Sequence, residues 1–369
     1  MSGPAIFLSA GEPSGDRHGA SLARALQAAA PDCRLAGIGG EHMAAAGVRL
    51  VQDLAPLQAV GLVESAGSLP SHLRALRTAR RELREGRYDL AVLVDYPGFH
   101  RRVAAAASRR GIPVLHYIAP QFWAWGGWRV AGHRRTVTHT AVILPFEEPF
   151  FRARHVPATY VGHPLRDAPP IPQPAARAQL GLPADALVLG LFPGSRPREV
   201  ALLWARFRDA AGALLVSHPE LRVLVAGPPD TRVPGLAALG GCLAPAALVA
   251  VAADAAIAKS GTTTLELGLA GTPHVLAYRM HPVTFAAARL AVSVPWVGLV
   301  NLILDRPVVP ELLQSAARPS VIADAVWELL APASPAAARQ RAAFGELAER
   351  LGPPGTARRT ADLALSFVA

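Results

Sequence analysis

The chain has 369 residues, 51% of them apolar and 17% charged, and a formal net charge of +10. That length exceeds one ordinary core and suits two domains, and the apolar content excludes a disordered chain. The charge rests on arginine, because Lys259 is the single lysine among 37 lysines and arginines, and it invites an anionic partner: nucleic acid, a membrane surface or a phosphorylated substrate.

The N-terminal Met1–Leu8 carries no basic segment and no long apolar stretch, so it reads as a first strand rather than a signal peptide. Short β-rich runs follow at Ala5–Ser9, Leu35–Ile38, Leu90–Val94, Val114–Ile118, Ala141–Leu144 and Thr159–Val161. Helical pieces rich in Ala, Leu and Arg lie between them, including Ala20–Ala30, Leu73–Glu85 and Arg102–Arg110. Continuous apolar strands alternating with helices predict a parallel sheet covered on both faces. The segment 57–87 begins apolar (Leu57, Val60, Leu62, Val63) and turns into an Arg-rich amphipathic helix, the profile either of a solvated helix face or of a surface that rests on anionic lipid.

Asp167-Ala168-Pro169-Pro170-Ile171-Pro172-Gln173-Pro174 is a stiff linker, and the domain boundary is expected there. The alternation then restarts with strands at Leu187–Phe192, Arg222–Ala226, Ala255–Ala258 and His274–Ala277. The apolar run 239–258 is interrupted by Gly240, Gly241, Pro245 and Asp254 and reads as buried βα structure, not a membrane span. The expected division is 1–166, a linker 167–174, a second domain 175–340 and C-terminal helices 341–369 that return to the first domain. Cys33 and Cys242 match no metal-ligand spacing and fit a reducing compartment.

Open parallel sheets bind ligands at the carboxyl ends of their strands, so the strand-end loops carry the functional candidates. After strand one, Gly11-Glu12-Pro13-Ser14-Gly15-Asp16 combines a tight loop with two carboxylates; its spacing is not that of a dinucleotide fingerprint, and Ser14 or Asp16 can equally be a plain helix cap. Asp95 ends an apolar strand before the stiff Pro97 turn, a placement for a general base or a helix cap. Trp123, Trp125 and Trp128 form either an aromatic platform for a sugar or acyl chain or a set of core anchors. Two further strand–glycine-turn–helix starts follow, Gly194-Ser195-Arg196 and Lys259-Ser260-Gly261-Thr262, each suited to phosphate through backbone N–H groups, the helix dipole and a nearby cation. Glu266, one turn into the second helix, can accept from ribose hydroxyls or simply complement the dipole. No Asp-x-Asp pair occurs to anchor a metal–diphosphate.

Taken together, these motifs resemble the lipid-A-disaccharide synthase family, inverting glycosyltransferases of the GT-B fold. The resemblance spans nearly the whole chain: Ala10–Asp16, Asp95-Tyr96-Pro97 with Phe99, His116-Tyr117 with Pro120 and Trp123-Ala124-Trp125, Leu144–Glu147, Val161–Pro164, Pro193–Arg196 with Glu199-Val200, Ser260–Thr262 with Leu265-Glu266, Tyr278–Met280, and Asn301-Leu302. It implies an α/β chain of two Rossmann-like domains whose parallel sheets face across a cleft, with a helical C-terminal tail. It further implies transfer of 2,3-diacylglucosamine from its UDP donor to 2,3-diacylglucosamine 1-phosphate at the inner face of the cytoplasmic membrane. Asp95 matches the family's base. Gly11, Glu12, Ser14, Gly15, Asp16, Trp123 and Trp125 fall on the acceptor side. Gly194, Ser195, Arg196, Ser260, Gly261, Thr262, Glu266 and Asn301 fall on the UDP side; Lys259 joins them by position only. No cofactor or metal is expected, and UDP-diacylglucosamine, the lipid acceptor and an anionic membrane surface (through 57–87) are the expected partners.

The chain departs from the family where Gly98 and His100 stand in place of the usual Asp and Asn, and where Val300 stands in place of the usual Pro. The alternatives are a GT-B transferase with another glycolipid acceptor, a UDP-sugar epimerase, or a non-enzymatic RNA-binding module. The dispersed arginines argue against the last, so no nucleic-acid partner is expected. The sequence leaves the oligomeric state open.

Overall fold

The computed structural model describes residues 3–53, 65–194, 196–281, 285, 289 and 292–368. Ser195 and the apolar start of the proposed lipid-facing segment (Leu57, Val60, Leu62, Val63) therefore lie outside the described residues. The chain forms two compact units, Met1–Ala168 with Leu351–Ala369, and Pro169–Arg350.

Among the described residues, the first unit holds a seven-stranded sheet: β1 (Ala5–Ala10), β2 (Arg34–Gly39), β3 (Arg49–Asp53), β4 (Leu90–Val94), β5 (Val114–Tyr117), β6 (His139–Val142) and β7 (Ala158–Tyr160). The strand order is β3-β2-β1-β4-β5-β6-β7 and every pairing is parallel. Alternate residues of each strand feed opposite faces. Ile6, Leu8, Val92 and Val94 pack against helices Pro13–Ala29 and Thr356–Leu365, while Phe7, Ala91 and Leu93 pack against helices Ser65–Glu85 and Pro97–Ser108. Burial on both faces explains the unbroken apolar runs in the sequence.

The second unit repeats the design with β8 (Val188–Phe192), β9 (Arg222–Ala226), β10 (Cys242–Ala244), β11 (Ala255–Ala258), β12 (His274–Tyr278) and β13 (Glu311–Leu313), in the parallel order β10-β9-β8-β11-β12-β13. At the amino ends of β8 and β11, the buried Arg177 holds Asp254 through two contacts of 2.8 and 2.9 Å, and Asp254 also accepts the Val188 N–H at 2.8 Å. Asp254 thus ties the two central strands together at the end remote from their ligand-binding loops.

The structure differs from the sequence reading in several places. Strands β3, β10 and β13 were not expected; they are short edge or near-edge strands with little periodicity to read. The apolar run 239–258 resolves into β10, the short helix Ala246–Ala252 and β11, and no helix among the described residues is long and apolar enough to cross a membrane. The proline-rich stretch is shorter than its composition suggested, because Gln173 and Pro174 already open helix Gln173–Gln179, where a missing N–H is no loss. Helix Pro335–Arg350 stays with the second unit, with Phe344 and Leu347 against Gly268, so the return to the first unit begins at Leu351 rather than at position 341. Asp167 then accepts the backbone N–H groups of Gly355, Thr356 and Ala357 at the start of helix Thr356–Leu365, and Arg359 donates to the Val161 carbonyl at 2.8 Å.

Candidate active site

In both sheets the strand order reverses once, between β1 and β4 in the first unit and between β8 and β11 in the second. Loops diverge at such a switch point and leave a crevice at the carboxyl ends of the strands. Gly11–Asp16 and Asp95 fall on the first of these places, and Gly194, Arg196, Lys259–Thr262 and Glu266 on the second, whereas Trp123 and Trp125 follow β5 and Asn301 lies in helix Leu299–Leu304 before β13.

In the first unit, Asp95 directly follows β4. It and Tyr96 both adopt left-handed backbone, with φ of 54° and 50°. Side-chain-bearing residues there cost about 1–3 kcal/mol each and persist only where surrounding contacts enforce them. The contacts are present. The Asp95 N–H donates to the Tyr117 carbonyl at 2.9 Å, continuing the ladder to β5. The Asp95 carbonyl faces two buried histidines, His100 Nδ1 at 2.5 Å and His116 Nε2 at 3.2 Å. The Tyr96 ring fills the space beside Gly11, where a Cβ would lie 2.0 Å from Cδ1, so only glycine allows the two loops to close. The Asp95 carboxyl is raised above the ordinary aspartate range, first by burial and further by the negative charge of Glu12, against the pull of the Tyr96 N–H. A carboxylate lifted in this way is a better proton acceptor.

In the second unit, Gly194 after β8 has φ of 124° and Gly261 after β11 has φ of 137°, values open to glycine alone. Lys259 reaches between these two turns, its Nζ 2.9 Å from Glu199 Oε2 in helix Pro197–Ser217. Arg196 occupies the position before that helix and is exposed, and Thr262 opens helix Thr262–Leu269, also exposed. Ser260 donates its hydroxyl to the Val297 carbonyl at 3.2 Å.

Comparison with known proteins decides among the alternatives. Residues 6–351 match the family model for lipid-A-disaccharide synthetase. The chain is 40% identical over 374 residues to the lipid-A-disaccharide synthase of Trichlorobacter lovleyi, covering 98% of this chain and 97% of the relative. It is 38% identical over 377 residues to that of Myxococcus xanthus, covering 99% and 98%. The chain belongs to the lipid-A-disaccharide synthase family. It is a glycosyltransferase. Among solved structures, CalG4, the calicheamicin glycosyltransferase, aligns with a TM-score of 0.60 at 17% identity, covering 100% of this chain and 99% of its own. Acinetobacter baumannii MurG aligns with a TM-score of 0.59 at 17% identity, covering 98% and 99%. At such identities the likeness shows the GT-B fold alone.

Within this lipid-A-disaccharide synthase family member, several expected site residues have structural partners. Asp16 is buried, and its carboxylate accepts the N–H groups of Gly40, His42 and Met43 at 2.7, 3.1 and 3.2 Å, capping the short helix after β2. Ser14 and Gly15 lie in the first turn of helix Pro13–Ala29 rather than in an extended loop; Glu12 precedes it and stays close enough to Asp95 to act on its charge. Trp123 is a core anchor whose indole N–H donates to Glu147 at 2.9 Å, whereas Trp125 is 53% exposed with Arg129 stacked 4.0 Å over its ring. Asn301 is fully buried: its amide N–H donates to the Val309 carbonyl and to Glu311, and its oxygen accepts the N–H groups of Val308 and Val309. All of its hydrogen-bonding capacity is used within the protein, so Asn301 braces the loop between its helix and β13. Lys259 is already neutralised by Glu199 rather than being an unpaired cation at the Gly261 turn.

Sequence reasoning assigned no role to Glu311, Glu199, Ser9, His100 or His116. Glu311 accepts from Val297, Gly298 and Asn301, and no local pattern announces such a hub. Glu199, His100 and His116 stand inside the quoted motifs, so their signal was present but not their partners.

Proposed function

We propose that the enzyme transfers 2,3-diacylglucosamine from UDP-2,3-diacylglucosamine to the 6-hydroxyl of 2,3-diacylglucosamine 1-phosphate with inversion, giving lipid A disaccharide 1-phosphate and UDP. The observation that carries this reading is Asp95, a family-matching carboxylate at the switch point of the first sheet, half-buried, raised in pKa and locked in an enforced backbone conformation. Its carboxylate takes the acceptor hydroxyl proton as the oxygen attacks the anomeric carbon and the bond to UDP breaks. Glu12 holds the Asp95 carboxyl high, and Gly11 gives Tyr96 the space that seats the base.

In the second unit, the Gly194 and Gly261 turns, the helix starts at Pro197 and Thr262, and Arg196 are the diphosphate seat. These groups neutralise the leaving UDP. We expect no metal requirement, so turnover should be unchanged by EDTA.

Acylated substrates place the enzyme at a membrane surface, in this family the inner face of the cytoplasmic membrane. In helix Ser65–Glu85, Ala75, Leu76, Ala79 and Leu83 are buried in the first unit's core, and Arg74, Arg77, Arg80, Arg81 and Arg84 are exposed. That face supports electrostatic attachment to anionic lipid rather than insertion.

In the decisive experiment, purified enzyme is given diacylated donor and acceptor and the product is analysed by mass spectrometry. A new disaccharide that forms only with both substrates supports the reading. An altered UDP-sugar with no new glycosidic bond overturns it. Asp95→Asn should lower turnover by about 100-fold or more while calorimetric UDP affinity is unchanged, and undiminished turnover would remove Asp95 as the base.

A further inference from the structure

The Asp95–Tyr96 peptide is held from three elements besides its own strand. A carbonyl can only accept, so the nitrogens facing the Asp95 oxygen, His100 Nδ1 and His116 Nε2, must carry the protons. The neutral His100 then presents Nε2 as an acceptor, and Ser9 Oγ lies 3.0 Å from it, placed to donate. Ser9 belongs to β1, Asp95 follows β4, His100 lies in helix Pro97–Ser108 and His116 on β5. Ser9 and His100 have no exposure at all and His116 has 3%, so water does not compete for these contacts.

Two N–H donors occupy both lone pairs of one carbonyl, which sets the orientation of the peptide plane between Asp95 and Tyr96. Rotation of that plane changes ψ of Asp95 and φ of Tyr96. With the Asp95 N–H also held on the Tyr117 carbonyl, both peptide planes flanking the Asp95 Cα are fixed, and with them the direction of its side chain.

We infer that His100 and His116, with Ser9 behind His100, are positioning residues: a neutral two-histidine clamp on the Asp95 carbonyl that holds the base in its reactive orientation without touching substrate. The inference rests on the reading of Asp95 as the base. It also gives His100, which stands where the family usually has Asn, a defined task. An Asn amide nitrogen can occupy nearly the place of His Nδ1 and donate to the same carbonyl, whereas a Gln amide nitrogen can do so for His116 Nε2.

The test compares His100→Leu, His100→Asn, His116→Leu, His116→Gln and Ser9→Ala with the parent and with Asp95→Asn, using the full chain and both substrates. In the Leu variants the clamp loses a donor, and kcat should fall by about 100-fold while KM for the UDP donor and calorimetric UDP affinity change less than about twofold. The Asn and Gln variants should recover most of kcat. Ser9→Ala, the smallest change, should lower kcat by about threefold to tenfold and covers the case in which a Leu variant does not fold. Crystal structures of the Asn and Ala variants read φ of Asp95 directly.

A folded Leu variant with parental kcat overturns the clamp, as does recovery that is no better in Asn than in Leu. If Asp95→Asn keeps its turnover, it is the base assignment that fails, whatever the histidine variants do. If Asp95→Asn is inactive while Ser9→Ala and both Leu variants are unimpaired, the positioning inference alone fails.

Discussion

Asp95 and Glu147 show one functional group, the carboxyl, put to different uses by its surroundings. Because burial and Glu12 raise the Asp95 carboxyl, the base stays protonated to a higher pH than an ordinary aspartate. The acidic limb of kcat/KM should therefore lie above the ordinary aspartate range, activity falling as pH drops through it. Glu12→Gln should move that limb to lower pH, and an unmoved limb would sever the link between the two carboxyls. Glu147 is completely buried and pushed up to about 7, chiefly by burial, against the pull of Trp123 Nε1 and the N–H groups of Leu144 and Ile143. Glu147→Gln turns an NH2 toward one of these donors and leaves it without an acceptor. A loss of about 1–3 kcal/mol in denaturant unfolding is expected, with UDP affinity unchanged.

Short elements are placed by contacts distant in sequence, and the C-terminal helix Thr356–Leu365 is the clearest case. Its pattern announces a helix, yet its position comes from Asp167, which receives its first N–H groups, and from Arg359 on the Val161 carbonyl. Gly162, with φ of 88°, lies where a Cβ would come within 2.3 Å of Arg359, so the Val161-Gly162-His163-Pro164 motif serves as the seat of this helix. Removing the cap in Asp167→Ala should destabilise the helix by about 1–2 kcal/mol, seen as faster amide exchange over 356–365 with little change in β8 or β11. Unaltered exchange there would show that the apolar contacts of Ala361 and Ala364 hold the helix without it.

Across the whole molecule, buried neutral histidine is concentrated in the first unit. Burial pushes His18, His116 and His163 down to about 4 and His100 and His133 to about 3; in the second unit His274 is lowered to about 4. The folded values lie below the unfolded value of 6.5, so unfolding takes up protons between them. The stability these groups contribute is complete above pH 6.5 and lost as pH falls toward 4. Glu147 and Asp95 have the opposite sign, their folded values lying above the unfolded ones, but they are two groups against five. Acidification from pH 7 to 5 should thus loosen β4 and β5 before β8 and β11, as read by amide exchange corrected for intrinsic rate. Simultaneous loosening would refute the asymmetry.

The sequence by itself determined the α/β class, the two Rossmann-like units, most of the central strands and the loops that carry the chemistry. These follow from local causes: unbroken apolar strands, Gly and Pro at turns, and motifs compact enough to read in one stretch. Tertiary structure alone decided which partners each motif residue has. The structure gives Asp16, Trp123 and Asn301 the contacts of a cap, an anchor and a loop brace, because a polar side chain's partners are brought from other strands. His100, in sequence only a departure from the family, lies on the carbonyl of Asp95 because parallel strands align β1, β4 and β5 at their carboxyl ends.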